Sequence, residues 1–342
     1  MAVFYNIPSS AELQQIGADK VARVASARLS TKFMPRRRKK VAILAWQQKD
    51  NTRGLQQLRG SGGAPSYIKL PGSKRFLTEP GYYGEYYTIP EDELNKRAGA
   101  VIGNATVDAK DLVMEAQDTL IQREADLIEY IWWAICMTGT INITGPNGAV
   151  YSDTFQIQTH LGSDWSNLAT ATPLADLRTI AATKGVGRGL NFKSGATMVV
   201  NSVTAMYLLN NQNPNDLGGK LVSNGSTIND MDGLSKLFVA NGLPALVVYD
   251  EGYFDDSNNW NYYVATDKVA IIAKRVDGDT ICQYTETINH HARNGVGPYE
   301  FLKDYFKGVN APVEVPGRIE VHRGHNGGVE LYHPGALLVM SV

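Results

Sequence analysis

The sequence predicts an α+β chain built from more than one lobe, and three observations carry that reading. The chain has 342 residues, whereas single hydrophobic cores stop growing beyond about 250–300 residues. One stretch, 107–138, keeps helical periodicity throughout, while short apolar runs broken by glycine and proline fill much of the remainder. Glycine (33) and tyrosine (17) are both in mild excess, as expected for many turns and much strand.

Composition narrows the functional classes. Hydrophobic residues at 43% and charged residues at 20% describe an ordinary globular protein and exclude wholesale disorder. Lys plus Arg is 33 and Asp plus Glu is 34, a net charge of -1, so this is not a protein that coats nucleic acid over its whole surface. Two cysteines, Cys136 and Cys282, cannot make a disulfide framework and fit a reducing compartment. The opening residues lack the basic-then-apolar layout of a signal peptide. The longest apolar run, 128–137, contains Glu129 and is too short to span a bilayer, so no membrane partner is expected.

Taken in order, residues 1–47 read as an N-terminal arm. Weak helical periodicity over 10–28 (Leu13, Ile16, Val21, Val24) precedes the dense run Arg36, Arg37, Arg38, Lys39 and Lys40 and a short strand at 41–46. Residues 48–100 read as an extended hairpin loop. Gly60 to Pro65 is a strong turn signal, Pro71-Gly72 and Pro80-Gly81 add breaks, and Arg53, Arg59, Lys69, Lys74 and Arg75 spread along it. A strand-like exit at 82–89 ends at Pro90. So few large aliphatics predict a projecting loop instead of a buried sheet.

Residues 101–168 hold the long helix, predicted over 107–138 with Thr106 as N-cap and Gly139 as its stop. Asp111, Glu115, Asp118, Gln122, Asp126 and Glu129 form a polar stripe. Leu112, Ala116, Leu120, Leu127, Ile131 and Ile135 form the opposing core stripe, widened by Trp132 and Trp133. At 1.5 Å per residue the helix is roughly 45–50 Å long, a spine for something extended. A hairpin follows over 141–159.

Residues 169–304 alternate helix and strand. Thr172-Pro173 caps one helix, Ser202 starts a second, and Thr227 starts a third with Asp230 at its third position. Strands are expected at 196–200, 246–249 and 269–273. Residues 305–342 close with three short strands near 318–322, 329–333 and 337–342.

No residue set makes a case for catalysis, a cofactor or a metal. Gly185 to Gly189 lacks phosphate-loop spacing. His290, His291, His322, His325 and His333 do not make a ligand set: the first two, as strand neighbours, point to opposite faces, and His322 and His325, at a glycine-rich turn, have no carboxylate or Cys at ligand spacing. Asp250, Glu251, Asp255 and Asp256 surround a polar turn without the calcium-loop pattern. The basic run at 36–40 stands equally as a solvated stretch or as a contact to packaged nucleic acid or a neighbour's acidic patch.

The order of elements resembles the major capsid proteins of tailed bacteriophages, and more closely the lambda-type head protein family with its Hong Kong 97-like fold. The resemblance is carried by Arg123-Glu124, the Thr138-Gly139 stop, Trp165, Thr197 to Ser202, Leu246 to Tyr253 and Gly328 to Val339. It covers about residue 100 onward, with the first hundred residues matching in layout alone. It implies an arm (1–47), an extended loop (48–100), a peripheral domain with the spine helix (101–168), an α/β axial domain (169–304), and strands of 305–342 returning to the peripheral domain. It further implies a non-enzymatic subunit that assembles with itself into hexamers and pentamers of an icosahedral shell around double-stranded DNA. Scaffolding, decoration and portal proteins would be its partners, the virion its location, and the host cytoplasm its site of assembly. The basic residues of the arm and loop named above would make intersubunit contacts, and of the two uses of the run at 36–40 the subunit contact is the favoured one. An encapsulin-like compartment shell and an enzyme with an α/β catalytic lobe are the alternatives.

Overall fold

A computed structural model describes residues 5–6, 8, 10–49, 55, 58, 61, 73–99, 107–146, 148–185, 189–223, 226–255, 257–276, 278, 280–292, 294–305 and 317–342. The chain divides into two compact units, each assembled from separated segments.

The first unit comprises residues 1–44, 77–129 and 283–330. Its sheet runs Arg36–Arg38, Cys282–Glu286, Arg318–Leu331, Tyr299–Asp304, and Gly81–Pro90 also pairs antiparallel with Arg318–Leu331, Gly81 opposite Gly327 and Pro90 opposite Arg318. Its core joins Leu13, Ile89, Leu94, Val113, Ala116, Leu120, Ile319 and Val321. Leu13 belongs to the helix Ser10–Ala27, so the segment read as a loose arm is packed. Residues 318–322 and 329–333, expected as two strands around a turn, are largely one 14-residue strand, Arg318–Leu331. Its glycines are there for close approach: a Cβ on Gly324 would lie 2.4 Å from the Tyr83 carbonyl oxygen and 2.6 Å from the Tyr299 hydroxyl.

The second unit comprises residues 45–76, 130–282 and 331–342. Its mixed sheet runs Ala245–Val248, Thr197–Val200, Lys268–Ile272, Leu337–Ser341, Gln158–Leu161, with parallel pairs at both ends and antiparallel pairs between. Helices Pro173–Thr183, Ser202–Leu209 and Met231–Ala240 supply Leu174, Leu177, Ile180, Leu208, Leu234 and Phe238 to a core shared with Met198, Ile271 and Leu338. The hairpin Thr140–Thr144 with Val150–Thr154 is formed as expected.

The boundaries at 47, 100, 168 and 304 drawn from the sequence differ from those of the compact units, because three-dimensional pairing ignores chain order. Leu44–Lys49 pairs with Ser73–Thr78 as a two-stranded ribbon, whereas Gly81–Pro90, read as the exit of the same hairpin, joins the first unit's sheet. Most of the intervening hairpin, with Arg53, Arg59 and Lys69, lies outside the described residues; Lys74 and Arg75 are exposed on the ribbon.

The long helix is continuous over Lys110–Thr138 and ends at Gly139 with φ +73°. It starts later than expected because Val107–Asp108 pairs in parallel with Tyr5–Asn6; Thr106 lies outside the described residues. Leu112, Ala116, Leu120, Ile131 and Ile135 are buried, while Leu127 is half-buried and Ile128 takes the inward place. Glu129, assigned to the polar stripe, is fully buried.

Local reading misplaces one helix start and one capping group. Met231–Ala240 is capped by Asp230, whose side chain accepts from the Gly233 amide at 3.2 Å, and Ser226–Thr227 forms a short strand instead. Thr172 makes no side-chain cap. The carboxylate of Asp216, 42 positions beyond Leu174, takes that place, accepting from the amides of Leu174 (2.8 Å) and Ala175 (3.0 Å). The positive end of the helix is thereby met from a distant loop.

Two outcomes are expected. Asp216→Ala should cost about 1–2 kcal/mol, and Thr172→Ala close to nothing, in urea denaturation; equal losses would reverse the cap assignment. Ile131→Asp should cost several kcal/mol and remove soluble protein, because its charge would have no partner at a fully buried position.

Candidate functional site

The strongest concentration of unusual chemistry lies in the first unit, where the N-terminal segment meets the long helix and the sheet. Glu124, on the helix, is buried and accepts from Arg36 Nη1 at 2.9 Å and from Arg323 Nε at 2.7 Å. Arg323, equally buried on the strand Arg318–Leu331, also donates through Nη1 to Glu300 at 3.0 Å. Further along the N-terminal segment, Arg38 Nε donates to Glu286 at 2.9 Å. Lys39 Nζ donates to both oxygens of Glu330 at 2.6 and 2.8 Å, and Gln283 donates to the same carboxylate.

The polar stripe of the helix has a related use. Asp118 pairs with Lys20 at 2.6 Å and Asp126 pairs with Arg28. Glu129 accepts from the Ser30 amide at 3.1 and 3.3 Å, and Gln117 donates to the Leu13 carbonyl. The stripe is therefore a seat for residues 13–30 as well as a solvated face. On the same helix, Arg123 makes a two-point contact with Glu85 of the strand Gly81–Pro90.

Burial and charge push the two shared carboxylates apart. For Glu124, burial would raise the carboxyl, but Arg323, His325 and Arg36 outweigh it and hold it at about 2, below the ordinary 4.5. Burial pushes His325 downward towards its neutral form, so at neutral pH the two arginines are the charges that keep Glu124 ionised. Glu300 moves upward, because its burial is only partly offset by Arg323. His325 is held by the Tyr284 hydroxyl at 2.8 Å and stacks on Tyr83.

The basic run at 36–40 is thus divided. Arg36, Arg38 and Lys39 have carboxylates within their own chain, whereas Arg37 and Lys40 are exposed and form no ion pair among the described residues. Sequence spacing could not reveal this, since the partners Glu124, Glu286 and Glu330 lie 88 to 291 positions away. The alternation of a strand was the available signal: Arg36 and Arg38 share a face and Arg37 takes the other.

The remaining candidates have structural settings. His322 and His325 lie within a strand, not at a turn; His322 bonds Glu320 at 2.9 Å, and His333 bonds Arg275. His290 and His291 sit in a turn, with His291 against Tyr299 at 5.4 Å. Among the described residues no three His, Cys, Asp or Glu side chains converge as a metal site. Gly185, at φ +78°, lies just past the helix Pro173–Thr183; residues 186–188 lie outside the described residues. Asp255 accepts from the amides of Ser257 and Asn259, closing a tight turn; Asp256 lies outside the described residues.

A pH dependence follows from these carboxyls. Glu124 is lowered in the fold, so its contribution is complete above pH 4.5 and is lost as pH falls towards about 2. The amount is on the order of 3 kcal/mol. His325, lowered by burial, adds to the acid loss; Glu300, raised, opposes it. Glu124→Gln should flatten the acid limb of a stability–pH curve measured by urea unfolding and cost about 3–5 kcal/mol at neutral pH by leaving buried Arg323 with Glu300 as its remaining carboxylate. An unchanged acid limb would remove Glu124 from this role.

The fold has solved counterparts. A protein assigned as a prophage capsid protein of E. coli CFT073 superposes with a TM-score of 0.59 at 14% identity, covering 96% of this chain and 98% of that one. A phage-related protein of Bordetella bronchiseptica RB50 gives 0.54 at 12% identity, over 94% and 95%. No curated protein matches the sequence. The profile described as phage major capsid protein E matches residues 19–301, a span that takes in the basic run, the long helix and most of the core residues of both units. The chain belongs to the phage major capsid protein E family, a family of structural capsid subunits.

Proposed function

We propose that this capsid subunit assembles with copies of itself into the hexamers and pentamers of an icosahedral head shell enclosing double-stranded DNA. The family match over residues 19–301 carries the reading. In this account the ribbon Leu44–Lys49 with Ser73–Thr78 is the base of an extended loop that reaches a neighbouring subunit. The first unit supplies the peripheral part of the subunit, and the second unit's sheet and helices supply the axial part. Scaffolding, decoration and portal proteins are its further partners, the virion its destination and the host cytoplasm its place of assembly.

The base of that loop is well anchored. Trp46 is buried, donates from Nε1 to the Leu331 carbonyl at 2.9 Å, and stacks on Phe76 at 5.5 Å between ring centres. Beyond it Leu55 and Leu58 are fully exposed. Large aliphatics left in water on a loop above a rigid root are what a neighbour would cover. Of the basic residues assigned above to contacts between copies, Arg37, Lys40, Lys74 and Arg75 are exposed and form no ion pair among the described residues.

Purified protein examined by negative-stain electron microscopy should give closed particles, and particles from infected cells should protect DNA from nuclease. Replacing residues 54–74 with a short Gly/Ser link should leave a soluble, folded subunit that makes no shells. Normal closed particles from that deletion would overturn the loop assignment, and particles enclosing protein cargo instead of DNA would favour a compartment shell.

A further inference from the structure

A cavity of about 270 Å³ in the second unit has no part in the account above. It lies where Tyr130 and Trp133, on the last turns of the long helix, face Tyr253, Tyr262 and Tyr263 of the hairpin Gly252–Phe254 with Trp260–Tyr262 and its continuation. The rings brace one another. Tyr130 meets Tyr253 edge-on at 5.1 Å, and Tyr253 stacks on Tyr263 at 5.7 Å. The mouth stays open: Tyr262, in the lining, is 50% exposed. None of the lining side chains is cationic, and Asp250, Glu251 and Asp255 flank the strand that forms one wall.

Five aromatic rings share the lining of this space with Ala134, Met137, Thr138, Thr140 and Asn142, with acidic residues adjacent in sequence and no cation in the lining. Ring faces attract a cation through their quadrupole, and a guanidinium, flat and weakly hydrated, exploits several at once.

We propose that this pocket receives the guanidinium of Arg37 from a second copy of the chain. The inference rests on the shell reading, in which unlike patches of identical subunits meet head to tail. Arg37 suits the role. It is exposed on the strand Arg36–Arg38, the outermost strand of its sheet path. The strand alternation that commits Arg36 and Arg38 to Glu124 and Glu286 turns Arg37 to the opposite face. Lys40, exposed like Arg37 and likewise without an ion pair among the described residues, lies past the end of that strand and serves as the control.

The test measures the critical concentration for assembly by light scattering for the wild type, Arg37→Gln, Tyr262→Ala, the double variant and Lys40→Gln. Each of the first two variants should raise it about three- to tenfold. The double variant should go no further than the stronger single, and Lys40→Gln should change it less than about twofold. Both altered positions are largely exposed, and circular dichroism checks that the subunits stay folded. In a second arm, particles assembled from mixed Arg37→Cys and Tyr262→Cys chains should form pairs linked by a bis-maleimide long enough to replace the arginine and tyrosine side chains, the native Cys136 and Cys282 being buried. Additive effects, an effect of Tyr262→Ala alone, equal loss with Lys40→Gln, or no cross-link overturns the pairing while leaving the shell reading intact. A wild-type chain that forms no assemblies at any concentration overturns both.

Discussion

The guanidinium of Arg323 is the interaction on which the first unit turns. It sits on the strand that pairs with three others, reaches the helix through Glu124 and reaches the adjoining strand through Glu300. Stripping such a group of water costs several kcal/mol, recovered only when its partners are well placed. That requirement selects one register. A two-residue slip of the strand would keep every apolar side chain on its own face but would carry Arg323 away from both carboxylates. The unequal treatment of those carboxylates has the same origin: Glu124 has two arginines, Glu300 shares one.

The N-terminal segment extends this logic outward. Lys20, Arg28, Arg36, Arg38 and Lys39 each meet an acidic side chain of the first unit. A nearly neutral net charge therefore does not mean that charge is idle; much of it is consumed internally. The pairs differ in sensitivity to salt. Those ending on buried carboxylates such as Glu330 are weakly screened, while the more exposed Arg123–Glu85 contact is strongly screened.

The sequence was legible where structure depends on local pattern. The long helix, its stop at Gly139, the hairpin after it and the alternation of helices and strands beyond residue 170 follow from periodicity and turn chemistry. It was illegible where distant segments decide. Nothing near Thr172 announces that Asp216 will cap the helix, and nothing near Arg36 names Glu124. The glycines of 324–328 read as a turn because glycine usually marks one; here Gly324 admits the Tyr299 ring and the Tyr83 backbone, and Gly327 admits the Tyr284 ring, against a continuous strand. Glu129 looked solvent-facing because helical spacing reports a face, not what covers it.

The two strands drawn from residues 318–341 have a consequence for synthesis. Arg318–Leu331 is the strand to which three others of the first unit's sheet attach, and Leu337–Ser341 lies between Lys268–Ile272 and Gln158–Leu161 in the second. Neither unit can close its sheet while the ribosome still holds this stretch. Each nascent chain must wait, unfinished, until translation has passed it, and then both units can complete almost together. A polypeptide broken off before residue 318 lacks the strand to which three others of the first sheet attach and the strand that joins two others of the second, so it leaves both sheets open at once.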